Sequence, residues 1–380
     1  MKCPRCGNED ARYFYHLKGH TYCRKCIAFH RIDIDAVISK NALAHSDTCQ
    51  ASYVMHFALS KRQEEISHRL VENYQASRPS LVFAVCGSGK TEISFEVISY
   101  VLKTGGRVCF SIPRKALCLE LYERFVTHFP DLDIGLLYGG TKIHEKAPLI
   151  ICTAHQLYRY VNDPFDLMLI DEADAFPFYG DDVLNAMFMA CVKRTYIKMS
   201  ATLTSSDLNG EEVLVMNRRY HGSDLPEPRN VILPHIGWML YLKYQIRKML
   251  KKGQKVLIYV PLKQDVPYYT KKLLRYCKVA GVSSSTQDIN THLDALKKGK
   301  LECLVTTTIL ERGITITNVQ VIVMHATHPI FDERTLMQIA GRVGRRQGYT
   351  TGTILFVDEG LSKDMKACIA MIHHLNSMSV

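Results

Sequence analysis

The sequence predicts an α/β protein in which two parallel-sheet domains follow a small cysteine-bound domain. Three observations predict it. Short apolar, β-rich runs alternate with helical periods twice over, on either side of a Pro- and Gly-bearing break. Four cysteines crowd the N-terminus in two Cys-x-x-Cys pairs. A glycine-bearing loop ending in Lys-Thr joins the first of those β-rich runs to an amphipathic segment. At 380 residues the chain has room for two or three domains with cores of their own. Its 47% hydrophobic and 22% charged residues are the composition of a soluble protein.

The first element is the cysteine set. Cys3-Pro4-Arg5-Cys6 and Cys23-Arg24-Lys25-Cys26 are separated by the sixteen residues Gly7 to Tyr22, which is zinc-ribbon spacing. A two-residue gap turns both thiolates of a pair toward one ion, and Gly7 suits the positive φ of such a knuckle. Four sulfur ligands with no open position describe a closed, structural Zn²⁺ site, and the metal supplies the folding energy. His16, His20 and His30 are alternative ligands that the four sulfurs do not require. The duplicated spacing displaces a redox reading of either pair. Arg5, Arg24, Lys25 and Arg31 interleave with Tyr13, Phe14, Tyr15, Tyr22 and Phe29. Such a set is either a surface that stacks and neutralises single-stranded nucleic acid or, more simply, the aromatic core of a small domain. The other nine of the thirteen cysteines lie scattered, mostly in apolar runs, and read as small core residues.

The organisation that follows is a ribbon over residues 1–32, a helical segment over 33–78, a first sheet domain over 79–224, a linker over 225–232 and a second sheet domain over 233–380. Strands are expected at Leu81–Val85, Arg107–Ile112, Leu149–Thr153, Leu167–Ile170 and Tyr196–Met199, with helices such as Thr91–Leu102 and Leu117–Phe129 between some of them. The second set is Val256–Val260, Val279–Val282, Cys303–Thr306, Val319–Met324 and Thr353–Val357. No apolar run approaches the roughly 20 residues that span a bilayer, and MKCPRCGNED is no signal peptide, so a cytoplasmic protein is expected. The net charge of +11 hints at a polyanionic partner, or merely at a basic surface.

Ala84-Val85-Cys86-Gly87-Ser88-Gly89-Lys90-Thr91 has the strand–loop–helix context of a triphosphate cradle. Gly87 and Gly89 allow the tight fold that points successive N–H groups, Ser88 among them, at phosphate oxygens. Lys90 reaches the outer phosphates, and Thr91 offers its hydroxyl to Mg²⁺. Leu167-Met168-Leu169-Ile170 then runs into Asp171-Glu172-Ala173-Asp174. Asp171 suits the metal, and Glu172 suits orienting or deprotonating the attacking water. Ser200-Ala201-Thr202 closes a further strand and is expected to link this site to the second domain.

Here the chain resembles superfamily 2 helicases. Ala84–Thr91, Asp171–Asp174 and Ser200–Thr202 look like their motifs I, II and III, and Leu59-Ser60-Lys61-Arg62-Gln63 like the Q motif, in which Gln63 holds the adenine edge. Pro113-Arg114-Lys115 resembles motif Ia and Thr153-Ala154-His155-Gln156 motif Ib, which implies contacts to a nucleic-acid backbone through Pro113, Arg114, Thr153 and His155. Thr306–Gly313 looks like motif V, so Thr306 and Thr307 join the polymer contacts and Gly313 the nucleotide site. Gln338–Arg345 looks like motif VI. Arg342 and Arg345, three apart on an expected helix, suit arginine fingers; a basic face gripping polymer phosphates is the alternative, a role Arg346 can take.

Within that superfamily the chain is most similar to the ComFA family of late competence ATPases, because the cysteines precede a compact two-lobe motor. In PriA-type restart helicases the cysteines lie between the lobes. DEAD-box RNA helicases carry His-Arg where this chain has Gln338-Ile339. The resemblance implies two tandem RecA-like domains and an ATP- and Mg²⁺-dependent motor on single-stranded DNA. Its implied partners are a phosphoribosyltransferase-like competence protein and a membrane DNA-uptake channel, with docking at the inner membrane face through them. Oligomerisation is left open. A replication-restart or repair helicase, an RNA helicase and a non-hydrolysing DNA scaffold remain the alternatives.

Overall fold

The computed structural model describes residues 1–29, 31–34, 49–85, 87–174, 178, 180–201, 210–219, 222–310, 316–346 and 348–378. The chain divides into two compact units, Met1–Ala84 with Gly89–Met216, and Asn217–Val380 with the four residues Val85–Ser88. No described helix is long and apolar enough to cross a membrane.

The first unit begins with β1 (Phe14–Leu17) and β2 (His20–Cys23), an antiparallel hairpin. Its turn, Lys18-Gly19, takes positive φ at both residues, the twist a two-residue hairpin needs. Residues 49–60, expected to be helical, hold no helix, and residues 35–48 of that segment lie outside the described residues. The reason is burial. Ala51 is fully buried, its carbonyl accepts from the Ser99 hydroxyl at 2.5 Å, and Tyr53 packs edge-on against Phe95. Core contacts therefore fix an extended path. Helix begins only at α1 (Lys61–Gln75), where Ser60 and Gln63 form a reciprocal capping box.

The chain continues through β3 (Ser80–Ala84), α2 (Phe95–Lys103), β4 (Val108–Ile112), α3 (Lys115–His128), β5 (Ile134–Tyr138), β6 (Thr141–Ile143), β7 (Leu149–Thr153), β8 (Phe165–Ile170), α4 (Asp182–Ala190), β9 (Val192–Ser200) and β10 (Glu212–Met216). Among the described residues these strands form one sheet in the order β10-β3-β9-β8-β4-β7-β5-β6, parallel throughout except for β6 at the edge. Both faces are covered, so β3, β4 and β7 are buried along their whole length and read as continuous apolar runs. One face packs on α1, α2 and α3; the other packs on α4 and the ribbon cysteines. The hairpin β5–β6 and the edge strand β10 were not expected. Gly139-Gly140 between two short runs was a hairpin signal.

The second unit is built from β11 (Arg229–Ile232), α5 (His235–Leu250), β12 (Lys255–Tyr259), α6 (Asp265–Leu273), β13 (Val279–Val282), α7 (Ile289–Lys297), β14 (Cys303–Thr306), β15 (Val319–Met324), α8 (Glu333–Ala340), β16 (Ile354–Asp358) and α9 (Lys363–Ser377). Its described strands run β11-β16-β15-β12-β14-β13, all parallel. β11 occupies the last four residues of the expected linker, because its backbone pairs along β16. Six of the scattered cysteines (Cys109, Cys118, Cys152, Cys191, Cys303 and Cys368) are buried as expected. Cys49 and Cys277 are half-buried, and Cys86 lies outside the described residues.

Candidate ATP site, nucleic-acid edge and metal centre

Parallel strands carry all their C-terminal loops on one edge of a sheet. In the first unit that edge gathers the candidate residues. β3 leads toward Lys90 and β8 leads into Asp171, with β9 between them. Gly87 and Gly89 have φ of +84° and +80°, a conformation that costs glycine little. A side chain at residue 89 would meet the Gln63 amide at once. Gln63 is buried, and its Oε1 accepts from the Ser60 N–H at 2.7 Å, so the capping box holds the adenine-reading candidate against the glycine loop.

The Lys90 ammonium donates to Asp171 Oδ1 at 2.9 Å, and both side chains are about six-sevenths buried. The same Oδ1 accepts from the Glu172 N–H at 2.8 Å. The Asp171 and Ala173 N–H groups donate to the carbonyls of Ser111 and Met199, which fixes the acidic turn to β4 and β9. Glu172 has φ of +54°, a strained conformation for a non-glycine residue. The expected helix from Thr91 begins instead as a 3₁₀ turn, Glu92–Ser94, with α2 starting at Phe95. The Ser94 hydroxyl donates to the Thr91 carbonyl at 2.6 Å and closes that turn. Arg124 of α3, which sequence reasoning missed, reaches Thr91 Oγ1 at 3.4 Å and Glu92 Oε1 at 3.2 Å. Lys90, Thr91, Asp171 and Glu172 thus form a set able to hold a triphosphate with Mg²⁺ and to activate a water.

The other half of the same edge belongs to β4 and β7. Pro113 is buried, and Arg114 is half-buried at the N-terminus of α3. Thr153 is buried at the end of β7, while His155 is exposed in the 3₁₀ turn Ala154–Arg159. Ser200 ends β9, and Thr202 lies outside the described residues.

In the second unit Thr306 is fully buried at the end of β14, its hydroxyl donating to the Thr307 carbonyl at 3.1 Å, and Thr307 is buried too. Gly313 lies outside the described residues. Arg342 and Arg345 are not on a helix: α8 stops at Ala340, and residues 341–344 form turns. Gly344 supplies the turn with φ of +75°, where any side chain would strike the Thr350 carbonyl. Arg342 is buried, and Arg345 Nε donates to the Gly341 carbonyl at 2.8 Å. Arg219, 2% exposed, donates to the carbonyls of Val343 and Gly341 and braces this loop. Nothing in Asn217-Arg218-Arg219 distinguished it from a surface basic pair.

In the ribbon the ligand atoms of Cys3, Cys6, Cys23 and Cys26 all lie within 4.8 Å of one another. Cys3 and Cys26 sulfurs are 3.7 Å apart, and Cys6 and Cys23 sulfurs 3.8 Å. A tetrahedron with Zn–S of about 2.3 Å has edges of about 3.8 Å, so the set fits Zn²⁺. Gly7 takes φ of +67°, as the knuckle requires. Hydrogen bonds from Cys26 and then Cys6 pull the Cys3 thiol down to about 2, while the bond to Cys3 pushes Cys26 far up.

Residues 56–205 match the family described as type III restriction enzyme, res subunit, and residues 240–347 match the helicase conserved C-terminal domain. The chain is 34% identical to competence protein ComFA of Bacillus subtilis over all of its own length and 86% of that protein. It is 32% identical to competence protein ComFA of Streptococcus pneumoniae over 98% of its length and 90% of that protein. S. cerevisiae Dbp5 bound to RNA and ADP BeF3 superposes with a TM-score of 0.58 at 16% identity, covering 84% of this chain and 92% of that one. That likeness shows the fold, two RecA-like domains.

Proposed function

The chain belongs to the ComFA family and is an ATP-hydrolysing enzyme of the helicase type, and from that premise we propose that it is an ATP-driven translocase on single-stranded DNA serving the uptake of transforming DNA. The observation that carries the reading is the Lys90–Asp171 pair at the carboxyl edge of a parallel sheet whose other half presents Arg114 and His155. One edge then serves both the fuel and the polymer.

Each residue has a task in this reading. Gln63 holds the adenine edge. Lys90 exchanges Asp171 for the outer phosphates. Thr91 and Asp171 hold Mg²⁺, which when bound neutralises phosphate charge. Glu172 takes the proton of the attacking water, and Arg342 and Arg345 supply guanidinium charge to the transferred phosphoryl group. Pro113, Arg114, Thr153 and His155, with the main chain at Thr306 and Thr307, follow the backbone. Contacts of that kind give little sequence preference and a strong salt dependence. Zn²⁺ on the four cysteines holds the ribbon. The single strand arrives from a membrane uptake channel, beside a phosphoribosyltransferase-like competence partner, and the strand is moved without efficient unwinding of duplex.

The test is the ATPase rate of the purified chain with no polymer, single-stranded DNA, duplex DNA and RNA, before and after zinc chelation. Single-stranded DNA should stimulate most. A larger response to RNA would select an RNA-remodelling enzyme, and efficient unwinding of tailed duplex would select a restart or repair helicase. ATP turnover surviving in Lys90→Ala would remove the site itself.

A further inference from the structure

The ribbon's aromatic residues divide between two faces. In the β1–β2 register Phe14 lies opposite Cys23, and Tyr15 lies opposite Tyr22. Phe14, with Phe29 and Ile32, packs into the cluster that holds the four cysteines and one face of the large sheet. Successive strand residues point to opposite faces, so Tyr15 and Tyr22 point away from that core. Tyr13 ends a 3₁₀ turn just before β1, and its carbonyl accepts from the Arg24 N–H at 2.7 Å. Tyr13 is 40% exposed and Tyr15 43%. Tyr22 is half-buried, with Arg31 over its ring.

Cations lie among these rings. The Arg24 guanidinium is 5.7 Å from the Tyr15 centroid, Lys25 Nζ is 5.8 Å from Tyr13, and the Arg31 guanidinium is 4.8 Å from Tyr22. The three acids of residues 1–34 pair elsewhere: Glu9 with Lys2, Asp10 with Arg12, and Asp33 with Arg31 and His20. Neither Arg24 nor Lys25 forms a salt bridge among the described residues, although, after Arg12, the Lys25 charge helps to hold the Asp10 carboxyl low, so the tyrosine face keeps a positive rim.

The ribbon's inner side, opposite the tyrosines, adjoins the motif Ib turn. Phe29 stacks on His155 with centroids 5.9 Å apart, and the Arg5 guanidinium lies 5.7 Å from the Tyr158 ring. His155 stays exposed nonetheless. We infer that the ribbon's outer face is a second subsite for single-stranded nucleic acid, reached by a strand that also contacts the motif Ib turn on the ribbon's inner side, with bases stacked on Tyr13 and Tyr15 and phosphates against Arg24 and Lys25. The inference rests on the proposed role of the motif Ib turn as a polymer contact. Base stacking on exposed rings within a basic groove is how sequence-indifferent single-strand binders work. The ribbon thereby lengthens the footprint of the first unit rather than adding a separate binding module.

The experiment uses the full chain with Tyr13→Ala/Tyr15→Ala, Arg24→Ala/Lys25→Ala and the conservative Tyr13→Phe/Tyr15→Phe, each confirmed by metal analysis to hold as much zinc as wild type. Affinity is read by anisotropy on labelled oligothymidylates of about 8 and about 24 nucleotides, short enough for one subsite and long enough for two. Oligouridylates of the same lengths run beside them. Wild type should gain affinity with length. The alanine pair at Tyr13 and Tyr15 should lose about 10-fold on the long strand and under about 2-fold on the short one. The Phe pair should behave as wild type. Removing two cations should flatten the logarithmic salt dependence by about 1.4, near 0.7 per phosphate contact on a single strand. Zinc-replete variants that bind both lengths as wild type does would overturn the subsite and leave the face to a protein partner. A wild-type chain that binds no single strand would remove the motor reading and this face together.

Discussion

Gly89 decides how closely the glycine loop can sit to Gln63, the proposed reader of the adenine edge. Its φ of +80° already excludes most side chains, and a Cβ there would collide with the buried Gln63 amide. Gln63 cannot easily withdraw, because its Oε1 holds the Ser60 N–H in the helix cap. Gly89→Ala is therefore expected to lower ATP turnover on the order of 100-fold, the scale of a displacement of about 1 Å at a reacting centre. Truncating the obstacle in Gln63→Ala/Gly89→Ala should recover only part of the loss, since the backbone strain remains. Steady-state turnover of the three variants checks this, and a near wild-type rate in Gly89→Ala would refute it. These residues were legible because their chemistry needs a fixed spacing. Arg124 and Arg219 were not, since partners 33 and 124 positions away leave no local pattern.

Among the elements, the loop after α8 shows how a short sequence motif depends on distant support. The loop leaves the helix at Gly341, turns at Gly344 and is braced by Arg219 through two main-chain carbonyls. Arg219→Met keeps most of the side-chain volume but leaves the Gly341 carbonyl to Arg345 and strands that of Val343, at about 1–3 kcal/mol for a buried group left unpaired. The expected result is a fall in turnover of about 10-fold, with the Michaelis constant for ATP changed less than about 2-fold. Initial-rate measurements over ATP concentration make the distinction. An unchanged rate would mean that the loop keeps its shape without the brace. The strands were easier to read. β7, β13, β14 and β15 occupy the ranges their apolar runs mark. The segment before α1 was misread because Ala51 and Tyr53 are buried by sheet and helix contacts, not by a helical stripe of their own.

For the molecule as a whole, two units with cores of their own should melt as two transitions. The ribbon shares its core with the first unit, through Phe14, Phe29 and Ile32 against the sheet face. Zinc removal should therefore lower the melting temperature of the first unit by several degrees, since about 1 kcal/mol shifts a domain of 150–250 residues by about 2–4 °C. The second unit's transition should stay in place. Calorimetry with and without chelator tests it. Movement of both transitions together, or of neither, would contradict a ribbon built into one unit alone.

The sequence by itself determined the four-cysteine cluster, the glycine loop, the acidic turn and two parallel sheets. Each is a local pattern: a spacing that places ligands on one ion, or an apolar run that must be covered on both faces. Tertiary structure decided what those patterns meet. It seated the ribbon on the turn Ala154–Arg159, set Phe14 and Tyr15 on opposite faces of one hairpin, and moved Arg342 and Arg345 from a helix to a braced loop. Such outcomes follow from contacts between residues far apart in the chain, which compete with local propensity and, where burial is at stake, prevail over it.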